Sequence, residues 1–191
     1  MNSSNPTTLS SKARETLLDI ARRSIRHGLD RGTPLPVKPE DFEPPLRAVR
    51  ASFVTLNRQG MLRGCIGHLE ATLPLVEDVA ENAFSAAFRD PRFPPLGDNE
   101  YDGLELHISV LTPAEPLSCE SESDLLRQMR PFQDGLILEE GLQRGTFLPS
   151  VWEQLPDPHD FLRHLKLKAG MPVDYWSAKL RVYRYETESF S

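Results

Sequence analysis

The stretch Ala48–Leu69, AVRASFVTLNRQGMLRGCIGHL, holds two runs rich in aliphatic and β-branched residues on either side of NRQG. Asn57–Gly60 is a turn signal ending in glycine, so the segment reads as a β-hairpin. That reading places Cys65 on or at the end of the second strand. Gly64 and Gly67 frame it, Arg63 precedes it and His68 follows. Alternate strand residues share a face, so Arg63 is expected beside Cys65. His68 is expected on the other side unless the chain bends near Gly67. The two glycines would permit such a bend or a bulge, and would leave backbone N–H groups open to a substrate oxyanion. A cation or base near a thiol favours the nucleophilic thiolate. Against this, free cysteine is among the most buried residue types, and strand glycines often only let another element pack close. The residues alone leave both readings open.

Outward from the hairpin, the chain reads as mixed helix and strand. Upstream, Ser10 or Ser11 is a candidate N-cap. Ala13, Leu17, Ile20, Ala21, Ile25 and Leu29 recur at helical spacing, and Gly32 is a natural stop. GTPLPVKPEDFEPP, from Gly32 to Pro45, holds five prolines and no periodicity, which suits an extended connector. Downstream, Pro74–Phe88 reads as an amphipathic helix with Leu75, Val79, Ala83 and Ala86 buried. DPRFPPLGDNEYDG is expected as a stiff loop. LELHISVLTP then alternates, with Leu104, Leu106, Ile108 and Val110 on one face and Glu105, His107 and Ser109 on the other. The last third predicts a short helix near Ser123 and two strands in GLILEEGLQRGTFL. A helical turn at SVWEQL, a helix in HDFLRHLKLKAG and a strand in KLRVYRY follow. Hairpins and irregularly spaced helices, without regular βαβ alternation, predict an α+β fold with a mostly antiparallel sheet flanked by helices.

The composition sets bounds on function. The 191 residues are 39% hydrophobic and 26% charged, an ordinary globular balance for one domain or two lobes sharing a core. A formal charge of −6 argues against general nucleic-acid binding, which relies on neutralising phosphates. The arginines near the end of the first helix suit a solvated face at its negative pole. The opening residues MNSSNPTT lack a basic start and an apolar run, so no signal peptide is expected, and no apolar run is long enough to span a membrane. Two cysteines, Cys65 and Cys119, fit reduced thiols in a cytoplasm.

Two further candidates carry chemistry. In RDPRFPPL, Arg89 and Arg92 flank Asp90 on a proline-stiffened backbone. That could present a guanidinium fork to a carboxylate or phosphate, or simply fasten the loop through an internal ion pair. His107 lies on a strand face that could look into the same space as Cys65. His27, His68, His107, His159 and His164 have no zinc-helix spacing and no CxxC accompanies them, so no metal is expected. No GxGxxG, P-loop or serine elbow supports a nucleotide cofactor, and no cofactor is expected.

LRGCIG resembles the six-residue hallmark of the AMMECR-one domain family, the AmmeMemoRadiSam system protein A-like proteins. The resemblance continues in order through AFRDPRFPPL, LHISVLTPAEPL, GLILEEGLQRGTFLPSVWE and FLRHLKLKAGM…YW, from about Ala48 to Trp176. Gly145 stands where the pattern leads one to expect alanine. The resemblance implies a single AMMECR-type domain over 1–191, with two lobes and a cleft between them. The larger lobe would hold hairpin 48–69, helix 74–88 and strand 104–112, and the smaller would lie roughly within 115–150. It implies no settled reaction. It does imply an association with a Memo-like protein and a radical S-adenosylmethionine protein in a modification pathway. From the residues themselves, the site is expected to use Cys65 and His107 as catalytic groups. Arg63, Gly64, Gly67, His68, Asp90 and Arg92 would bind substrate. The alternative is a non-catalytic module that docks on those partners or presents substrate to them.

Overall fold

A computed structural model describes residues 8–191. Residues 1–7, which hold most of the stretch read as lacking a signal peptide, lie outside the described residues. The elements divide into two compact units. One comprises the residues up to Leu111 together with Glu188–Ser191, and the other is Thr112–Thr187.

In the first unit, α1 (Ser11–Arg31) begins where Ser10 Oγ accepts the Ala13 N–H, and it ends at Gly32 in the left-handed conformation. A 3-10 turn at Pro39–Asp41 and the short helix α2 (Pro44–Arg47) interrupt the connector, each started by proline. Strands β1 (Ser52–Arg58) and β2 (Met61–Gly67) form the expected hairpin, its turn carrying Gln59 and Gly60 at positive φ. α3 (Leu75–Phe88) follows, and then β3 (Leu104–Leu111). The loop before β3 is not wholly irregular: α4 (Asp98–Tyr101) occupies part of it. β1 pairs antiparallel with both β2 and β3, and the sheet order is β2-β1-β3-β8, with β8 at Thr187–Phe190. Helices α1 and α3 cover one face of this sheet. Val54, Leu56, Leu106, Ile108 and Val110 are buried there against Leu17, Ile20, Leu75 and Val79. Each large side chain removed from water in this layer contributes about 1.5–3 kcal/mol. The small residues of α3 allow the helix to lie close on the strands. Gly28 of α1 is likewise filled by the Phe84 and Phe88 rings.

The second unit has its own sheet, ordered β4-β7-β5-β6. Its strands are β4 (Glu115–Pro116), β5 (Gly135–Glu140), β6 (Gln143–Phe147) and β7 (Arg181–Tyr185). α5 (Glu122–Gln128), a 3-10 turn at Pro149–Glu153 and α6 (Pro158–Lys168) complete it. Trp152 is stacked on Phe161, with centroids 3.9 Å apart, and its indole N–H donates to the Asp134 carbonyl at 2.8 Å. The sequence reading anticipated these elements except the 3-10 turn at Pro39–Asp41, α2, α4, β4 and β8. It expected one sheet where the chain builds two.

Candidate functional site

Cys65 lies in β2 directly opposite Thr55, and Thr55 lies directly opposite His107 of β3. The three side chains therefore form a row across the sheet, on the face turned away from α3. The sulfur is half-buried and belongs to neither hydrophobic core. The Thr55 hydroxyl donates to Cys65 Sγ at 3.2 Å.

The two glycines have structural explanations. A Cβ on Gly64 would collide with the carbonyl of Ala86 in α3. One on Gly67 would strike the Phe53 ring and the Ser52 carbonyl. Neither glycine has a positive φ, so space and not torsion demands them. Two amides beside the glycines have partners within the protein: the Cys65 N–H donates to Asp90 Oδ2 at 2.9 Å, and the His68 N–H donates to the Ser52 carbonyl at 3.2 Å.

Asp90 and Arg92 meet Cys65 through its backbone. The Arg92 fork holds Asp90 at both oxygens, Nε to Oδ1 at 3.0 Å and Nη2 to Oδ2 at 2.7 Å. Nη2 also donates to the Cys65 carbonyl at 3.3 Å. β2 is an edge strand, and the pair supplies at Cys65 the acceptor and donor that another strand would provide. The hydrogen bonds from Arg92, with those from the Cys65 and Arg92 amides, keep the Asp90 carboxyl well below the usual carboxylate range. The Arg92 guanidinium is half exposed. Asp90 raises its pKa first, with a contribution from the neighbouring Cys65. The loop-fastening ion pair is thus present, and it fastens the loop to the thiol's own residue.

Arg63 does not lie beside the thiol. Leu56 pairs with Gly64 and Asn57 with Leu62, so Arg63 is the extra residue of a β-bulge. A bulge interrupts face alternation and re-aims the side chain. Arg63 donates to Glu100 of α4 at 2.8 and 3.0 Å and to the Pro94 carbonyl at 3.0 Å. Its fork, with the Gly97 N–H, pulls Glu100 down to about 2. His68 leaves the strand toward α3, where its Nδ1 stands 3.6 Å from Asp78 Oδ1. His107 opens on a hollow that it lines with Arg22, Asn57 and Glu105. The structure therefore gathers Cys65, Asp90 and Arg92 at one point, keeps His107 in the same row two strands away, and disperses Arg63 and His68.

Sequence reasoning missed Thr55, Glu100 and Asp78. Asp78 carried a signal, because it occupies the buried stripe between Leu75 and Asn82 where an apolar residue is expected. Thr55 required knowing the register and its bulge. Among the described residues, no three His, Cys, Asp or Glu side chains converge as a metal-binding group. No described helix is long and apolar enough to cross a membrane.

Residues 18–190 match the AMMECR1 family model. The chain belongs to the AMMECR1 family. An archaeal relative from Methanothermobacter thermautotrophicus is 43% identical over 177 residues, covering 92% of each chain. Protein MK0488 of Methanopyrus kandleri is 37% identical over 92% of this AMMECR1-family chain and 86% of its own length. The crystal structure of uncharacterized protein PH0010 from Pyrococcus horikoshii superposes with a TM-score of 0.79 at 38% identity. It covers 92% of this chain and 89% of that one. These matches support the α+β fold.

Proposed function

We propose that this AMMECR1-family protein is an enzyme or enzyme component in which Cys65 serves as a nucleophilic or group-carrying thiol toward a small electrophilic substrate. One observation carries the reading: the sulfur stands outside both hydrophobic cores, accepts the Thr55 hydroxyl and has the Arg92 guanidinium as a charged neighbour. A hydroxyl donor and a cation both stabilise thiolate over thiol. Sγ, as thiolate, bonds to the electrophilic atom while the substrate's bond to its leaving atom breaks toward that atom. The thiol proton goes by way of solvent to His107, in the same row beyond Thr55, and from there to the leaving atom. Arg92 orients an acidic group on the substrate. Gly64, Gly67 and Asp90 shape and brace the site, whereas Arg63 and His68 are turned away from it toward Glu100 and Asp78.

Cys119 provides an internal reference, because burial first and Asp124 second push its thiol up. Alkylation by iodoacetamide at pH 7, read by mass spectrometry, should modify Cys65 at least tenfold faster than Cys119. Thr55→Val and Arg92→Met should each reduce that ratio. Equal rates at the two cysteines would defeat the thiol reading.

The packing favours a second reading. Gly64 and Gly67 serve close approach, and Asp90 with Arg92 seals a sheet edge, so LRGCIG can be scaffolding for a docking or substrate-presenting module. In either case the family resemblance suggests partners of the Memo-like and radical S-adenosylmethionine types, and the two free thiols suit a reducing cytoplasm. Cys65→Ser distinguishes the readings. Retained partner binding with retained pathway output supports scaffolding, and loss of output with retained binding supports thiol chemistry.

A further inference from the structure

On the α3 side of the first sheet, a buried carboxylate is only half satisfied. Asp78 is 1% exposed. Its Oδ2 accepts three donors: the Ser52 N–H at 2.8 Å, the Ser52 hydroxyl at 2.6 Å and the Asn82 amide at 2.9 Å. Its Oδ1 receives none, and the neighbouring Asn82 Oδ1 is a second buried acceptor without a donor. A buried carboxylate oxygen without a partner is costly, so this geometry calls for a proton donor. His68 supplies one. Its Nδ1 stands 3.6 Å from Oδ1, a little beyond hydrogen-bond length in this position, and its side chain is 58% exposed. The His68 backbone is fixed by its bond to the Ser52 carbonyl, so the ring is tethered at the mouth of the Asp78 pocket.

We propose that Asp78 is a positioning residue that draws the Nδ1–H of His68 onto Oδ1. The ring's Nε2 is then the basic, exposed nitrogen, a proton acceptor for a small substrate with an acidic X–H bond. The proton moves from the substrate to Nε2, and the same proton is returned to product or water. The imidazolium faces the Asp78 carboxyl, whose pKa burial pushes up while the Ser52 bonds and His68 hold it down. The site lies on the opposite side of β2 from Cys65 and stands independently of the thiol reading.

Nitrogen NMR of the histidine rings tests the tautomer. His27 and His164 are built-in references, because each presents Nδ1 to a backbone carbonyl at 2.8 Å and must protonate there. Wild-type His68 should share their Nδ1–H signature at pH 8. In Asp78→Asn an amide N–H facing Nδ1 should reverse the tautomer, while His27 and His164 stay unchanged. The expected change in population is roughly tenfold or more, the bias that a charge-assisted hydrogen bond places on such an equilibrium. If wild-type His68 instead matches a short peptide spanning Ile66–Glu70, the proposal fails, whether or not the variant folds.

A second measurement reads base strength directly. 5-Nitrobenzisoxazole loses its C–H proton to a base as its N–O bond breaks, giving a coloured cyanophenolate. Wild-type protein should accelerate this several-fold over His68→Gln and over Asp78→Asn. Rates that are the same in all three overturn the proposal.

Discussion

Replacing Asp90 with alanine is the most direct test of how the thiol's residue is held. The carboxylate accepts four bonds: the Cys65 N–H at 2.9 Å, the Arg92 N–H at 3.1 Å, and Arg92 Nε and Nη2 at 3.0 and 2.7 Å. The Arg92 side chain is 54% exposed, so its guanidinium rehydrates when the partner is lost and each contact falls on the scale of an exposed pair, about 0–1 kcal/mol. The Cys65 amide does not recover as easily. Its bond to a charged acceptor contributes about 1.5–3 kcal/mol. Together these give a loss of about 2–4 kcal/mol, concentrated at the β2 edge. Hydrogen exchange should therefore show the Cys65 amide about 30- to 900-fold less protected, since each 1.36 kcal/mol is tenfold. Amides of α6 in the second unit should be unaffected. A Cys65 amide protected within a factor of two of wild type would refute the edge-cap argument.

Other outcomes follow from the same geometry. Gly64→Ala drives a Cβ into the Ala86 carbonyl and should destabilise the first unit by about 1–3 kcal/mol in urea titration, without changing the alkylation of Cys119. Arg63→Met should raise the Glu100 titration from about 2 toward an ordinary glutamate near 4.3 when followed by NMR. Because the folded Glu100 pKa is depressed, its contribution is complete above about pH 4.3 and lost as pH falls through about 2. The gap in stability between wild type and this variant should close over that window. Asp90 is depressed as well, so its contribution disappears on the same acid side. Lys166 is fully buried and donates to Glu122 at 2.7 Å and to the Val173 carbonyl at 3.1 Å. Glu122→Ala leaves an ammonium without its counter-charge. It should lower the second unit's stability by about 1–3 kcal/mol in urea unfolding, less than a wholly buried pair because Glu122 is partly exposed.

The elements legible in the sequence are those with a strong local period or a sharp end. The α1 stripe from Ala13 to Ile25 with its Ser10 and Gly32 caps, the NRQG hairpin and the alternation of β3 all have local causes. β4 and β8 are short and exist only through pairing with distant strands, Glu115 with Arg184 for example, so no local pattern reveals them. The site shows the same division. That Asp90 and Arg92 pair with each other could be read from their spacing. That they clasp Cys65 depends on the loop folding back onto the sheet edge. The position of Arg63 was misjudged because one bulged residue reverses the alternation on which the expectation rested.

The first unit's sheet includes β8, which the chain reaches only after passing through all of Thr112–Thr187. During synthesis from the N-terminus, β1, β2 and β3 leave the ribosome long before the strand that flanks β3. Until it arrives, the β3 edge is bare, and the Ser109 hydroxyl lacks its Ser189 partner at 2.8 Å. A nascent chain arrested near Leu111 should accordingly be a three-stranded intermediate prone to edge association, and the full chain should release it.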